Sequence, residues 1–111
     1  MKGMRQQSII YIGLNDNETG KQEHDTEKYL TVLKNTCRGY KVSFSVQVSN
    51  GGYISEDGNY VEENTLMLRL IDVPESTVIE IAKDMCAYFN QECVMVVTNP
   101  ASVVFVKESL E

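Results

Sequence analysis

The chain has 111 residues and a formal net charge of -6, enough length for one domain, 1–111, to bury a core without disulfides or metal. No run of Lys or Arg forms a basic stripe, which disfavours a long polyanion such as duplex nucleic acid. A single small phosphate ligand needs only a few placed cations, and Arg38 and Arg69 are eligible.

Cys37, Cys86 and Cys93 form no Cys-x-x-Cys, which fits buried thiols in a reducing compartment rather than a redox or metal centre. Lys2 and Arg5 precede the apolar run 9–14, which is short, contains Tyr11 and Gly13 and lacks a cleavage-like site. Neither a signal peptide nor a transmembrane helix is expected, and the cytoplasm is the expected location.

Residues 8–14, SIIYIGL, predict a central strand, since apolar residues occupy both faces. With Ile10, Ile12 and Leu14 toward the helices, Ile9, Tyr11 and Gly13 line the opposite face. Gly13 is either a side-chain-free spot for close approach or a bulge. Residues 15–25 form a long polar loop in which His24 stands alone, without a second ligand at metal spacing. Thr26 is placed as the N-cap of a helix whose Tyr29, Leu30, Leu33 and Cys37 recur at helical spacing, with Gly39 as its terminator. Arg38 in its last turn complements the helix dipole.

Residues 41–49 alternate, with Val42, Phe44, Val46 and Val48 inward. The stretch 50–73 then predicts a projecting β-hairpin, turned at Asp57-Gly58 between Tyr53 and Tyr60. On its return strand Leu66, Leu68 and Leu70 share one face, and Met67, Arg69 and Ile71 the other. Asp72 to Pro74 close that strand, Pro74 opens a helix over 75–90, and Val78, Ile81, Ala82, Met85 and Phe89 form its inner face. Residues 93–98 predict a fourth strand, broken by Asn99-Pro100, and 102–107 a fifth.

This order is β-α-β-β-α-β with an additional C-terminal strand, which predicts an α+β, ferredoxin-like fold with both helices on one face. The open face would carry Ile9, Tyr11, Met67, Arg69 and Ile71, with Cys93 and Met95 or their neighbours. Such a face is too apolar to be left in water, so a homo-oligomer, at least a dimer, is expected, with ligand pockets at its edges.

No Walker loop, dinucleotide fingerprint, zinc spacing or nucleophile elbow is present, and no cofactor or metal is expected. Glu62 and Glu63 are adjacent on a strand and point to opposite faces, which rules them out as a dyad; they and the pair Asp72 and Glu75 read as solvated charge.

Three pieces carry a resemblance: Tyr11-Ile12-Gly13-Leu14; Gly51-Gly52-Tyr53 followed by Gly58 and Glu63-Asn64-Thr65; and Phe89-Asn90-Gln91-Glu92 with Val94. Together they resemble a family of small bacterial and phage domains of unknown function, across nearly the whole chain. Within that neighbourhood, residues 13–19, GLNDNET, are similar to phage proteins that counter the Thoeris defence by sequestering a cyclic ADP-ribose-type signal. The resemblance implies a phage anti-defence protein acting inside the bacterial host cell.

A ligand would then be met by Tyr11, Tyr53 and Tyr60 stacking on a base and by Arg69 at a phosphate. Asn15, Asn64, Asn90 and Gln91 would exchange amide hydrogen bonds with base edges or ribose. Each also has a structural explanation: Tyr53 and Tyr60 pairing across the hairpin, Asn90-Gln91 terminating a helix, Arg69 bridging a carboxylate at a dimer interface. The leading expectation is a non-enzymatic sponge that binds a small cyclic nucleotide at an oligomer interface. The alternative is an acidic protein that blocks a bacterial defence nuclease. An enzyme ranks last, because the one His lies in a polar loop and no nucleophile has a base at recognisable spacing.

Overall fold

The computed structural model describes residues 2–108, with side chains from Arg5 onward. Strands β1 (Lys2–Gly13), β2 (Ser45–Ile54), β3 (Tyr60–Ile71) and β4 (Met95–Val104) form one antiparallel sheet in the order β2-β3-β1-β4. Helices α1 (Thr26–Tyr40) and α2 (Glu75–Tyr88) share one core with the sheet. This is the α+β, ferredoxin-like arrangement that the alternation of patterns predicts.

Register explains the core. Ile10 stands opposite Leu68 and Ile12 opposite Leu66, and directly opposed residues share a face, so both rows meet the helices. Against them lie Tyr29, Leu33 and Cys37 of α1 and Val78, Ile81, Ala82 and Met85 of α2, all at helical spacing and all buried. Ser8 is the one buried polar residue among the described residues, and its hydroxyl bonds that of its cross-strand neighbour Thr98 at 2.9 Å. Breaking half of such a pair costs more than removing both halves. Thr98→Val should therefore lower stability by about 1–3 kcal/mol, while Ser8→Ala with Thr98→Val should recover most of the loss in urea unfolding.

Several boundaries differ from the sequence reading. Asp25, not Thr26, is the N-cap of α1, and the helix passes through Gly39 to Tyr40, with Lys41 taking the left-handed position at φ 58°. The added residues are held from outside: the Tyr40 hydroxyl donates to Asp84 Oδ2 of α2 at 2.7 Å. Lys41 therefore ends a helix rather than starting a strand, and β2 begins at Ser45, with Val42 and Phe44 still packed on the core. Pro74 is the N-cap of α2 rather than its first helical residue.

The Asp84 bond and the neighbouring negative charge push the Tyr40 phenol up to about 12. A folded value above the unfolded one near 10 means that this bond's contribution is full below pH 10 and is lost as pH rises through about 12. Absorbance titration should show the Tyr40 phenol ionising at about 12, and Asp84→Asn should bring it back down.

The hairpin does project. β2 and β3 pair out to Ile54 opposite Tyr60, and the molecule measures 57 Å along its long axis against 29 and 26 Å across. Its turn is longer than the expected Asp57-Gly58 pair: Ser55 N–H donates to Asn59 O, Gly58 sits at φ 87°, and Asp57 accepts from the Ser55 hydroxyl and from Asn59 N–H. The two C-terminal strands are one. β4 runs through Asn99-Pro100 without a break, so residues 102–104 extend it along β1. Proline inside a sheet is confined to edge strands, and β4 is an edge.

Only Cys37 matches the expectation of buried thiols, and burial pushes its thiol up to about 11; Cys86 is half-buried and Cys93 exposed. Among the described residues no helix is long and apolar enough to cross a membrane.

Candidate functional site

Gly13 ends β1 on the open face of the sheet, and the space where its side chain would be is taken by a carboxylate. A methyl group there would meet Glu63 Oε2 at 2.5 Å. Glu63 belongs to β3, two residues from Val61 and hence on the same face, and Val61 stands opposite Tyr53 of β2. The Glu63 carboxylate is fixed by a 3.0 Å bond from Asn15 N–H. The close approach at Gly13 is thus made by a side chain of the same chain, and no bulge is involved.

Beyond Gly13 the segment 14–25 is folded back on itself rather than loose. Asn15 bridges Gln22, Gly20 turns at φ 70°, and Asp16 Oδ1 accepts from the N–H groups of Glu18 at 2.8 Å and Thr19 at 3.2 Å. The turn is strapped to its surroundings on three sides. Asn15 Nδ2 donates to Glu62 O at 3.0 Å, and Asn64 Nδ2 to Gln22 Oε1 at 2.9 Å. From the end of α2, Asn90 Nδ2 donates to Asp16 Oδ2 at 3.0 Å, Gln91 Nε2 to Asn15 O at 2.7 Å, and Asn90 O accepts from Asn17 N–H at 2.9 Å. Asn90 adopts φ 48° to do so, a left-handed conformation that asparagine tolerates.

These pieces border a cleft of about 450 Å³ whose walls are residues 15–17 and Gly20 of the turn, the hairpin residues Tyr53, Val61 and Glu63, and residues 91–93. Its charge is one-signed: Asp16, Glu63 and Glu92 line it, and among the described residues no Lys or Arg does. The Asn90 amide and the Glu18 N–H hold the Asp16 carboxyl below its ordinary value, so it stays ionised. Among the described residues no three His, Cys, Asp or Glu side chains gather as metal ligands.

Of the residues that the sequence points to, Asn15, Tyr53 and Gln91 line this cleft, and Asn90 braces it from behind. One chain does not bring the other four to it. Asn64 lies on the helix side of β3, occupied by Gln22 and Asn50. Tyr60 is 77% exposed near the hairpin tip, beside Gly52. Tyr11 sits in mid-sheet between Met67 and Met95. Arg69 is six residues from Glu63 along β3, roughly 20 Å at 3.3 Å per residue. Sequence reasoning set Glu63 aside as solvated charge, although Gly13 on the neighbouring strand was the signal that could have found it.

No protein-family model and no curated protein matches this sequence. Among solved structures, a phage SAM lyase in complex with S-methyl-5'-thioadenosine superposes with a TM-score of 0.66 at 18% identity, covering 91% of this chain and 90% of that one. The apo form of a phage SAM lyase superposes with a TM-score of 0.63 at 18% identity, covering 96% and 92%. At that identity the likeness shows a shared fold. Both neighbours are phage proteins by description, and neither description names Thoeris. It corrects the expectation of a non-enzyme, because the fold shared over nine-tenths of the chain is that of a lyase.

Proposed function

We propose that this protein is a lyase of S-adenosylmethionine, breaking a carbon–sulfur bond and releasing S-methyl-5'-thioadenosine. The observation that carries the reading is the charge of the cleft: three carboxylates and no cation suit a substrate with a sulfonium and an ammonium group. A cyclic ADP-ribose, with its two phosphates, would meet repulsion there, and Arg69 is too distant within one chain to offset it. Tyr53 offers a ring for the adenine, and the acceptor oxygens around it suit ribose hydroxyls.

In the reaction the bonding pair of the carbon–sulfur bond goes to sulfur, which leaves as a neutral thioether. The four-carbon remainder completes its valence by closing on its own carboxylate or by losing a proton from the adjacent carbon. Neither route consumes water or a cofactor. In an infected cell such a reaction removes the methyl donor, which accords with the anti-defence role that the resemblance implies.

The protein works as a homo-oligomer, at least a dimer. Tyr11, Met67 and Met95, the last 57% exposed, share the open face with Tyr53 and Glu63, so a second chain laid on that face would cover apolar surface and roof the cleft together. Light scattering should give at least twice the 12.5 kDa chain mass across dilution, and a monomer throughout would remove the shared roof.

Incubation with S-adenosylmethionine, followed by chromatography, should show S-methyl-5'-thioadenosine accumulating well beyond one equivalent of protein. Absence of turnover, or depletion of cyclic ADP-ribose to a fixed molar ratio with intact recovery on heating, would overturn the lyase reading.

A further inference from the structure

We infer that the cleft holds its substrate by the ammonium group of the amino-acid tail, through Glu63 and Gln91 Oε1, and leaves the tail's carboxylate unheld. This rests on the lyase reading above and adds which end of the substrate is recognised.

The hydrogen-bond directions of the lining decide it. Gln91 Nε2 donates to Asn15 O at 2.7 Å and to Phe89 O at 3.3 Å. Both partners are carbonyl oxygens, which only accept, so the amide nitrogen is the atom facing them and Oε1 is the free end. Asn15 Nδ2 gives one of its two N–H groups to Glu62 O, and Asn15 Oδ1 is left as an acceptor. Glu63 takes one bond, at Oε2 from Asn15 N–H, and keeps Oε1 and its negative charge for a ligand. The remaining side-chain donors of the lining are the second Asn15 N–H, the Asn17 amide, the Tyr53 hydroxyl and the weak Cys93 thiol, none of them charged.

A surface that accepts and carries negative charge binds a group that donates and is positive. In S-adenosylmethionine the tail ammonium meets both conditions, with three N–H donors beside a positive charge. The tail carboxylate meets neither, because it would enter an acidic cleft to whose lining this chain contributes no cation among its described residues. Adenine N6 and the ribose hydroxyls also donate, but they are common to substrate, product and thioether analogues, so the ammonium is the discriminating group.

Two analogues separate the ends of the tail: decarboxylated S-adenosylmethionine, which keeps the amine, and the deamino analogue, which keeps the carboxylate. Each is used to compete with S-adenosylmethionine in initial rates of thioether release, and each is bound directly by equilibrium dialysis. The decarboxylated compound should compete at least as well as the substrate binds, and the deamino compound about tenfold or more worse. In Glu63→Gln, dialysis should show that gap shrinking to within about threefold. A deamino analogue that binds as well as the substrate, or a gap unchanged in Glu63→Gln, overturns the assignment. If no thioether is released while dialysis still ranks the analogues by their amine, the lyase reading falls and the recognition stands. Thioether release with the ranking reversed does the opposite.

Discussion

Glu63→Gln should lower kcat/KM for thioether release by about 10- to 100-fold, the scale of losing a hydrogen bond to a charged group, about 1.5–3 kcal/mol. Most of that loss should fall on KM. As the carbon–sulfur bond breaks the sulfonium charge disappears, so an anion beside sulfur stabilises the reactant more than the transition state and accelerates nothing. A carboxylate that instead anchors the ammonium keeps its partner's charge throughout and contributes uniform binding. Gln is isosteric and still accepts the Asn15 N–H, so far-ultraviolet circular dichroism should be unchanged. Gly13→Ala reaches the same carboxylate from the other strand: its methyl would meet Glu63 Oε2 at 2.5 Å, and because a side-chain terminus can swing aside, the fold survives while the carboxylate is displaced. Both variants retaining wild-type KM would show that Glu63 does not touch the substrate.

The same residue marks where the sequence was legible and where it was not. The buried faces of β1, β3 and the helices could be read from periodicity, because Ile10 and Ile12, Leu66 to Leu70 and the α2 row from Val78 to Phe89 are each set by a repeat that burial obeys, whereas Val48 of the alternating row in β2 is exposed. Termini were less legible where a distant contact decides them. Tyr40 lengthens α1 because Asp84 of the other helix receives its hydroxyl, and no local signal outranks Gly39 without it. Pro100 was a strand breaker by its own chemistry, and only the position of β4 at the sheet edge makes it tolerable. The cleft is legible in halves. Asn15, Tyr53 and Gln91 are polar or aromatic groups next to turns and draw notice for that reason. Glu63 looks like any strand carboxylate until the pairing of β1 with β3 puts it over Gly13. Arg69 drew notice as a cation among apolar residues, yet strand pitch alone keeps it from the cleft of its own chain.

Phe89→Ala should cost about 3–5 kcal/mol of unfolding free energy, a large share of what a domain of this size holds. The ring is buried at the end of α2 and meets Tyr29 of α1 edge-on, with centroids 5.0 Å apart and planes at 77°. Truncation therefore leaves a cavity between the helices and removes an aromatic pair whose geometry is favourable beyond its buried area. The damage should extend to the cleft, because the Phe89 carbonyl receives the Gln91 amide and Asn90 follows directly with its bonds to Asp16. Tyr29 carries a second link, its hydroxyl accepting His24 N–H at 3.3 Å at the far end of the cleft-lining segment. Tyr29→Phe keeps the ring and removes that acceptor, so it should cost only about 0.5–1.5 kcal/mol. Urea unfolding should place the midpoints in the order wild type, Tyr29→Phe, Phe89→Ala with a common slope, and KM should rise in the same order at temperatures where all three are folded. A Phe89→Ala midpoint equal to that of wild type would show that the ring is not part of the core. A lowered midpoint with unchanged KM would show that the end of α2 does not brace the cleft.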